Sequence, residues 1–128
     1  MASADKKPEL DEGRARELLS REGERVEGAL NDLERLRKGE ISEIEVSADP
    51  VEDAQLIEEG AIDEALEGRL RAQLEAIERA EQRLEDGSYG LSVESGDPIP
   101  SGRLEAIPWA ERTAEEQEGY ERTHGRPW

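Results

Sequence analysis

From Leu10 to Leu36 the apolar residues recur at helical spacing. Leu18/Leu19, Val26, Leu30, Leu33 and Leu36 fall at threes, fours and sevens, with Arg and Glu between them. That pattern predicts an amphipathic helix. A second stripe runs through Leu56/Ile57, Ala61/Ile62, Leu66, Leu70, Leu74/Ile77 and Leu84. Leu70, Ile77 and Leu84 are strictly seven apart, the spacing that keeps one helix seam against a partner. Gly13, Gly23 and Gly28 lie inside the first stripe, and each costs about 1 kcal/mol relative to Ala. The first helix therefore needs a partner, and the glycines read as tolerated positions, with close helix approach as the competing reading. Together the two stripes predict a long antiparallel two-helix coiled-coil hairpin.

The bend between the helices is predicted at Ser47-Ala48-Asp49-Pro50. Asp49 suits an N-cap and Pro50 the first helical position. The residue before a proline is pushed out of the helical region, so the preceding helix must stop by then. Gly39 to Ala48 fits either a continued helical stripe or a short extended segment. The second helix is predicted from about Val51 to Asp86, with Gly87 at the position just past its end. Arg79 and Arg83 near that end suit the helix dipole. Beyond Gly87, clusters of Gly, Ser, Asp and Pro mark a compact, turn-rich unit. Thr113 or a near neighbour starts a last short helix, Ala114 to about Arg122. The fold class is thus mostly α, with residues 1–8 disordered, 9–86 the hairpin, 87–122 a small C-terminal module and 123–128 a flexible tail. The hairpin's acidic tip falls around 47–54.

Composition supports a thin structure. Charged residues make up 40% of the 128, aromatics 3%, and there is no Phe. A two-helix seam needs less apolar surface per residue than a globule. No cysteine is present, which removes disulfides and thiolate metal sites. No long apolar run occurs, so neither a signal peptide nor a membrane span is expected, and the cytoplasm is the expected location.

Charge changes the picture more. The net charge is −17, and Gly39 to Gly68 carries eleven carboxylates with no Lys, Arg or His. Such a chain repels nucleic acid, so direct DNA or RNA binding is not expected. It should be drawn to a basic groove or channel, or to a metal ion. No calcium-hand loop is present, so only weak, diffuse cation binding would follow. His124 is the single histidine and stands without a catalytic constellation. Ser92 and Ser95 have no neighbouring His to activate them, and no phosphate-binding loop is present. An enzyme is not expected.

The run Asp86-Gly-Ser-Tyr-Gly-Leu-Ser-Val-Glu-Ser-Gly-Asp-Pro-Ile-Pro-Ser-Gly-Arg-Leu-Glu-Ala-Ile-Pro108 resembles the C-terminal module of the DksA/TraR family. Tyr89, Gly90, Gly96, Ile99, Arg103, Leu104, Glu105, Ala106 and Pro108 match the family pattern at its spacing. Asp49-Pro50-Val51-Glu52-Asp53-Ala54 is similar to the family's coiled-coil tip, Asp-Pro-x-Asp-x-Ala, at the same distance upstream. The resemblance covers about Asp11 to Gln117. It implies a regulator that binds RNA polymerase through the secondary channel, with the tip residues Asp49, Glu52 and Ala54 near the catalytic centre. It implies modulation of initiation, and a monomer is expected.

Two departures from the family qualify what it implies. The four zinc-ligand positions are Ser92, Ser95, Thr113 and Glu116, none a thiolate, so zinc is not expected as a cofactor. Apolar packing among Tyr89, Leu91, Val93, Ile99, Leu104, Ile107 and Trp109 is the expected replacement, with Tyr89, Ile99, Leu104, Ile107 and Trp109 at its centre. Hydrogen bonds or ion pairs between Glu116 and Arg103 or Arg112 would add to it. This gives a zinc-finger-like, zinc-free module. The positions that contact guanosine tetraphosphate in responsive members are Ala76, Ile107 and Gln117 here, which offer an anion no counter-charge. A response through that surface is not expected. Two other classes compete: a coiled-coil interaction or scaffold protein that kept the fold but lost the polymerase, and a metal-dependent enzyme or metal buffer using the acidic run.

Overall fold

The computed structural model describes residues 7–41 and 62–126. Helix α1, Glu12–Arg37, begins at Asp11, whose side chain accepts the Arg14 amide at 3.1 Å. That bond satisfies one of the donors orphaned at a helix start. At the other end Gly39 takes the left-handed conformation (φ 76°). The Glu40 amide then reaches back to the Arg35 carbonyl (2.9 Å) and the Gly39 amide to Leu36 (3.1 Å). This paired closure is the Schellman stop. The choice left open at Gly39 is thereby settled for the first residues: α1 ends before it.

Helix α2, Ile62–Asp86, closes in the same way at Gly87 (φ 83°), with the Ser88 amide on the Arg83 carbonyl at 2.9 Å. The predicted start near Val51, the bend, and the tip residues Asp49, Glu52 and Ala54 lie outside the described residues. The two helices pack along their whole described length. Contacts run from Arg16–Glu85 at one end, through Gly23 beside Ile77, to Arg37–Glu67 at the other. That order makes the pair antiparallel. At 1.5 Å per residue each helix is roughly 39 Å long.

The buried seam is the one the heptads predict. Leu19, Val26 and Leu33 of α1 meet Leu66, Leu70, Ile77 and Leu84 of α2, and all are buried. Ala76 and Ala80 are also fully buried, although they lie off the Leu70–Ile77–Leu84 line. Helical geometry puts them on a second face shared with Arg79 and Arg83. The C-terminal module covers that face.

The module begins with a tight loop closed by a single β-bridge between Leu91 and Pro98. The Ser92 amide donates to Asp97 O and the Ile99 amide to Gly90 O, both at 2.8 Å. Short helix α3, Ser101–Ala106, and helix α4, Ala114–His124, complete it. Helix α4 runs two residues beyond the expected Arg122. Gly125 ends it with φ 76°, its amide on the Glu121 carbonyl at 2.9 Å. Tyr89, Ile99, Leu104 and Trp109 are buried, and Ile107 packs half-buried against them. The Tyr89 hydroxyl donates to the Pro108 carbonyl at 2.8 Å. Burial pushes the Tyr89 phenol up to about 12. Val93, assigned to this core from its apolar side chain, is instead 50% exposed. Its amide is tied to the Glu111 carbonyl, while its neighbour Ser92 takes the inward position.

The start of the chain straps the module down. The Glu9 carboxylate accepts the Ser101 amide at 3.0 Å, and Leu10 is buried. Arg14 grips Glu105 with two hydrogen bonds, at 2.9 and 3.1 Å. Gly90 (φ 82°) lies so near Pro8 that a Cβ there would sit 2.5 Å from the proline's own Cβ.

Candidate functional site

Ser92, Ser95, Thr113 and Glu116 come from two separated segments, and the fold brings them together. Ser92 is buried at the head of the loop. Its hydroxyl donates to Glu116 Oε1 at 2.6 Å and accepts the amides of Glu94 (3.0 Å) and Ser95 (3.2 Å). Thr113 caps α4. Its Oγ1 accepts the Glu116 amide at 3.3 Å, and its own amide donates to Glu116 Oε1 at 2.9 Å. This is a capping box, with both orphan donors satisfied reciprocally. The Ser95 hydroxyl accepts the Asp97 amide at 3.2 Å.

Glu116 is the hub. Desolvation pushes its carboxyl up, but donors outweigh this: the Ser92 hydroxyl, the Thr113 amide, and the Ser95 and Thr113 hydroxyls. The carboxyl is held down at about 2. It is therefore an anion wherever the protein is folded at ordinary pH.

Neither the hydrogen bonds nor the ion pairs expected between Glu116 and Arg103 or Arg112 form. Arg103 Nε donates to the Arg112 carbonyl (2.9 Å), and Arg112 pairs with Glu94 at 2.6 Å. Glu116 is held by hydroxyls and amides, which sit nearer in the folded loop than either guanidinium. Apolar packing is thus joined by a polar knot that residue-by-residue reading missed. Its sequence signal is Thr113-x-x-Glu116, the Thr-x-x-Glu spacing of a capping box.

This donor set does not fit zinc. Ser92 Oγ has committed its proton to Glu116 and its lone pairs to two amides. One carboxylate with hydroxyls lacks the thiolate and imidazole donors that structural zinc takes. Among the described residues no group of three or more His, Asp or Glu is placed to hold a metal.

A second cluster joins the module to the rod. Arg79 donates to Glu111 at 2.9 and 3.0 Å, and Arg83 to the same carboxylate at 3.1 Å. The resemblance assigns Ala76, Ile107 and Gln117 to a guanosine tetraphosphate surface. Ala76 and Gln117 are buried, and Ile107 is half-buried. The Gln117 side-chain amide donates to Glu121 at 2.9 Å.

No protein-family model matches the chain. Over 80 residues it is 40% identical to the RNA polymerase-binding transcription factor DksA of Caulobacter vibrioides, covering 62% of this chain and 56% of that protein. Among solved structures, transcription factor DksA2 of Pseudomonas aeruginosa aligns with a TM-score of 0.57 at 28% identity, over 90% of this chain and 86% of that one. The chain belongs to the DksA/TraR family. It differs from the DksA/TraR pattern in having no cysteine at all. General stress protein 16O of Bacillus subtilis is 47% identical over 47 residues, 37% of this chain and 29% of that protein. The chain spans little more than half the length of the Caulobacter DksA it matches. No helix among the described residues is long and apolar enough to cross a membrane.

Proposed function

We propose that this chain binds RNA polymerase and regulates transcription. It enters the secondary channel with the bend of its hairpin foremost, placing Asp49, Glu52 and Ala54 near the active site to modulate initiation. The observation that carries the reading is the 40% identity to a polymerase-binding DksA. The antiparallel rod and its module supply the architecture such a role needs. Eleven carboxylates between Gly39 and Gly68 give the rod an end suited to a basic pore leading to a metal-bearing centre.

The protein acts as a cytoplasmic monomer without catalysis and without binding DNA or RNA directly. The C-terminal module works without zinc, since the knot at Glu116 occupies the ligand positions. Guanosine tetraphosphate finds no cation at Ala76, Ile107 or Gln117, so regulation does not pass through that surface. Transcription in vitro with Asp49→Arg and Glu52→Arg tests the reading. The wild-type chain shifts initiation, and the double variant loses that effect while keeping its helical content. No shift of initiation by the wild-type chain would favour the scaffold reading, and an unaltered effect in the double variant would overturn the role given to Asp49 and Glu52.

A further inference from the structure

We propose that Glu111 is an ionic latch that fixes the orientation of the C-terminal module on the rod. One residue is anchored on both sides of the junction. Its carboxylate receives Arg79 and Arg83 from the last two turns of α2. Its main-chain carbonyl accepts the Val93 amide at 2.9 Å, so the same residue is built into the loop at the head of the module. The next residues continue the tie, through Arg112 to Glu94 and the Thr113 amide to Glu116. A continuous hydrogen-bonded path therefore leads from the Glu116 knot to the rod.

Burial decides which junction ion pair dominates. The Arg83 and Glu111 side chains are 13% and 12% exposed. At that depth solvent screens the pair weakly, and either charge left alone is costly. The Arg14–Glu105 pair is 39% and 43% exposed, where an ion pair contributes little. Arg79 is 51% exposed and reinforces the latch from its open side. Burial pushes the Glu111 carboxyl up, but hydrogen bonding and charge from Arg79, then Arg83, outweigh it and hold the group below its usual range. The latch is thus charged at neutral pH. The covalent link it braces passes through Gly87, in the left-handed conformation that closes α2.

The inference rests on the polymerase reading only for its consequence, the direction in which the rod projects from a module seated on a partner. Its test needs no polymerase. The chain has no native cysteine, so Glu24→Cys on α1 and Glu118→Cys on α4, both exposed, accept spin labels cleanly. Distances are measured in the full chain with and without Glu111→Gln. The parent should give one narrow peak, and Glu111→Gln should lose it to a broad distribution. Glu111→Asp, which keeps the charge, should recover part of the peak. Circular dichroism reports whether the helices persist. If Glu111→Gln melts the module, Arg79→Gln removes only the exposed arm and should broaden the peak more mildly. A peak as narrow as the parent's in the variant that stays folded would overturn the proposal.

Discussion

Glu116 shows how one carboxylate can organise a loop. The Ser92 hydroxyl and the Thr113 amide both donate to it, and these residues themselves fix a turn and a helix start. Its carboxyl lies at about 2 in the folded chain, against an ordinary 4.5. A depressed carboxylate contributes stability that is complete above the unfolded value and is lost as pH falls through the folded one. Between about pH 5 and 2 the module should therefore weaken, and Glu116→Gln should flatten that part of the profile. At neutral pH the same substitution should cost about 1–3 kcal/mol, the price of leaving buried donors ill-matched. Urea melts of both proteins across this range check the prediction. Glu67, Glu105 and Glu111 are also held low by arginines, so the difference between the two proteins is the quantity to read. Gly90 carries a second prediction at this scale. A Cβ at φ 82°, 2.5 Å from Pro8, is both strained and blocked. Gly90→Ala should cost about 1–3 kcal/mol, seen as a lower thermal midpoint.

Among the elements, the helices were the most legible from sequence, because a heptad stripe encodes both the helix and its buried side. Leu70, Ile77 and Leu84 needed no structure to be paired with a partner seam. Ala76 and Ala80 were missed, since alanine is neutral in a hydrophobic pattern and a second contact face leaves little trace. The Glu116 knot was missed for a related reason: hydroxyls at former thiolate positions look like losses until the loop closes around them. Val93 misled because an apolar side chain was read as core in a loop whose backbone turns it outward. The tolerated reading of the helical glycines has a direct test. A methyl at Gly23 would meet Ile77 Cγ2 at 3.9 Å, ordinary contact, and one at Gly28 meets nothing within 4 Å. Gly23→Ala and Gly28→Ala should each stabilise the rod by about 0.5–1 kcal/mol. Ile77→Ala, which empties the seam, should cost about 2–5 kcal/mol. Thermal denaturation separates the two signs.

At the scale of the whole molecule, a rod and a module held to it by side chains are joined to a sequence stretch, Gly39 to Gly68, that carries eleven carboxylates. A structural zinc would supply on the order of 10 kcal/mol of folding free energy in a module of this kind. Packing of Ile99, Leu104 and Trp109, with the polar knot, takes that role here. Chelators should leave the thermal midpoint unchanged, and added zinc should not raise it; a large drop with chelator would show that a metal carries the fold. The polymerase reading is tested most directly by competition. Core RNA polymerase loaded with a labelled secondary-channel protein is titrated with this chain. Displacement at micromolar concentration is expected, weakened by charge reversal at Asp49 and Glu52. Retention of the labelled protein throughout the titration would contradict it.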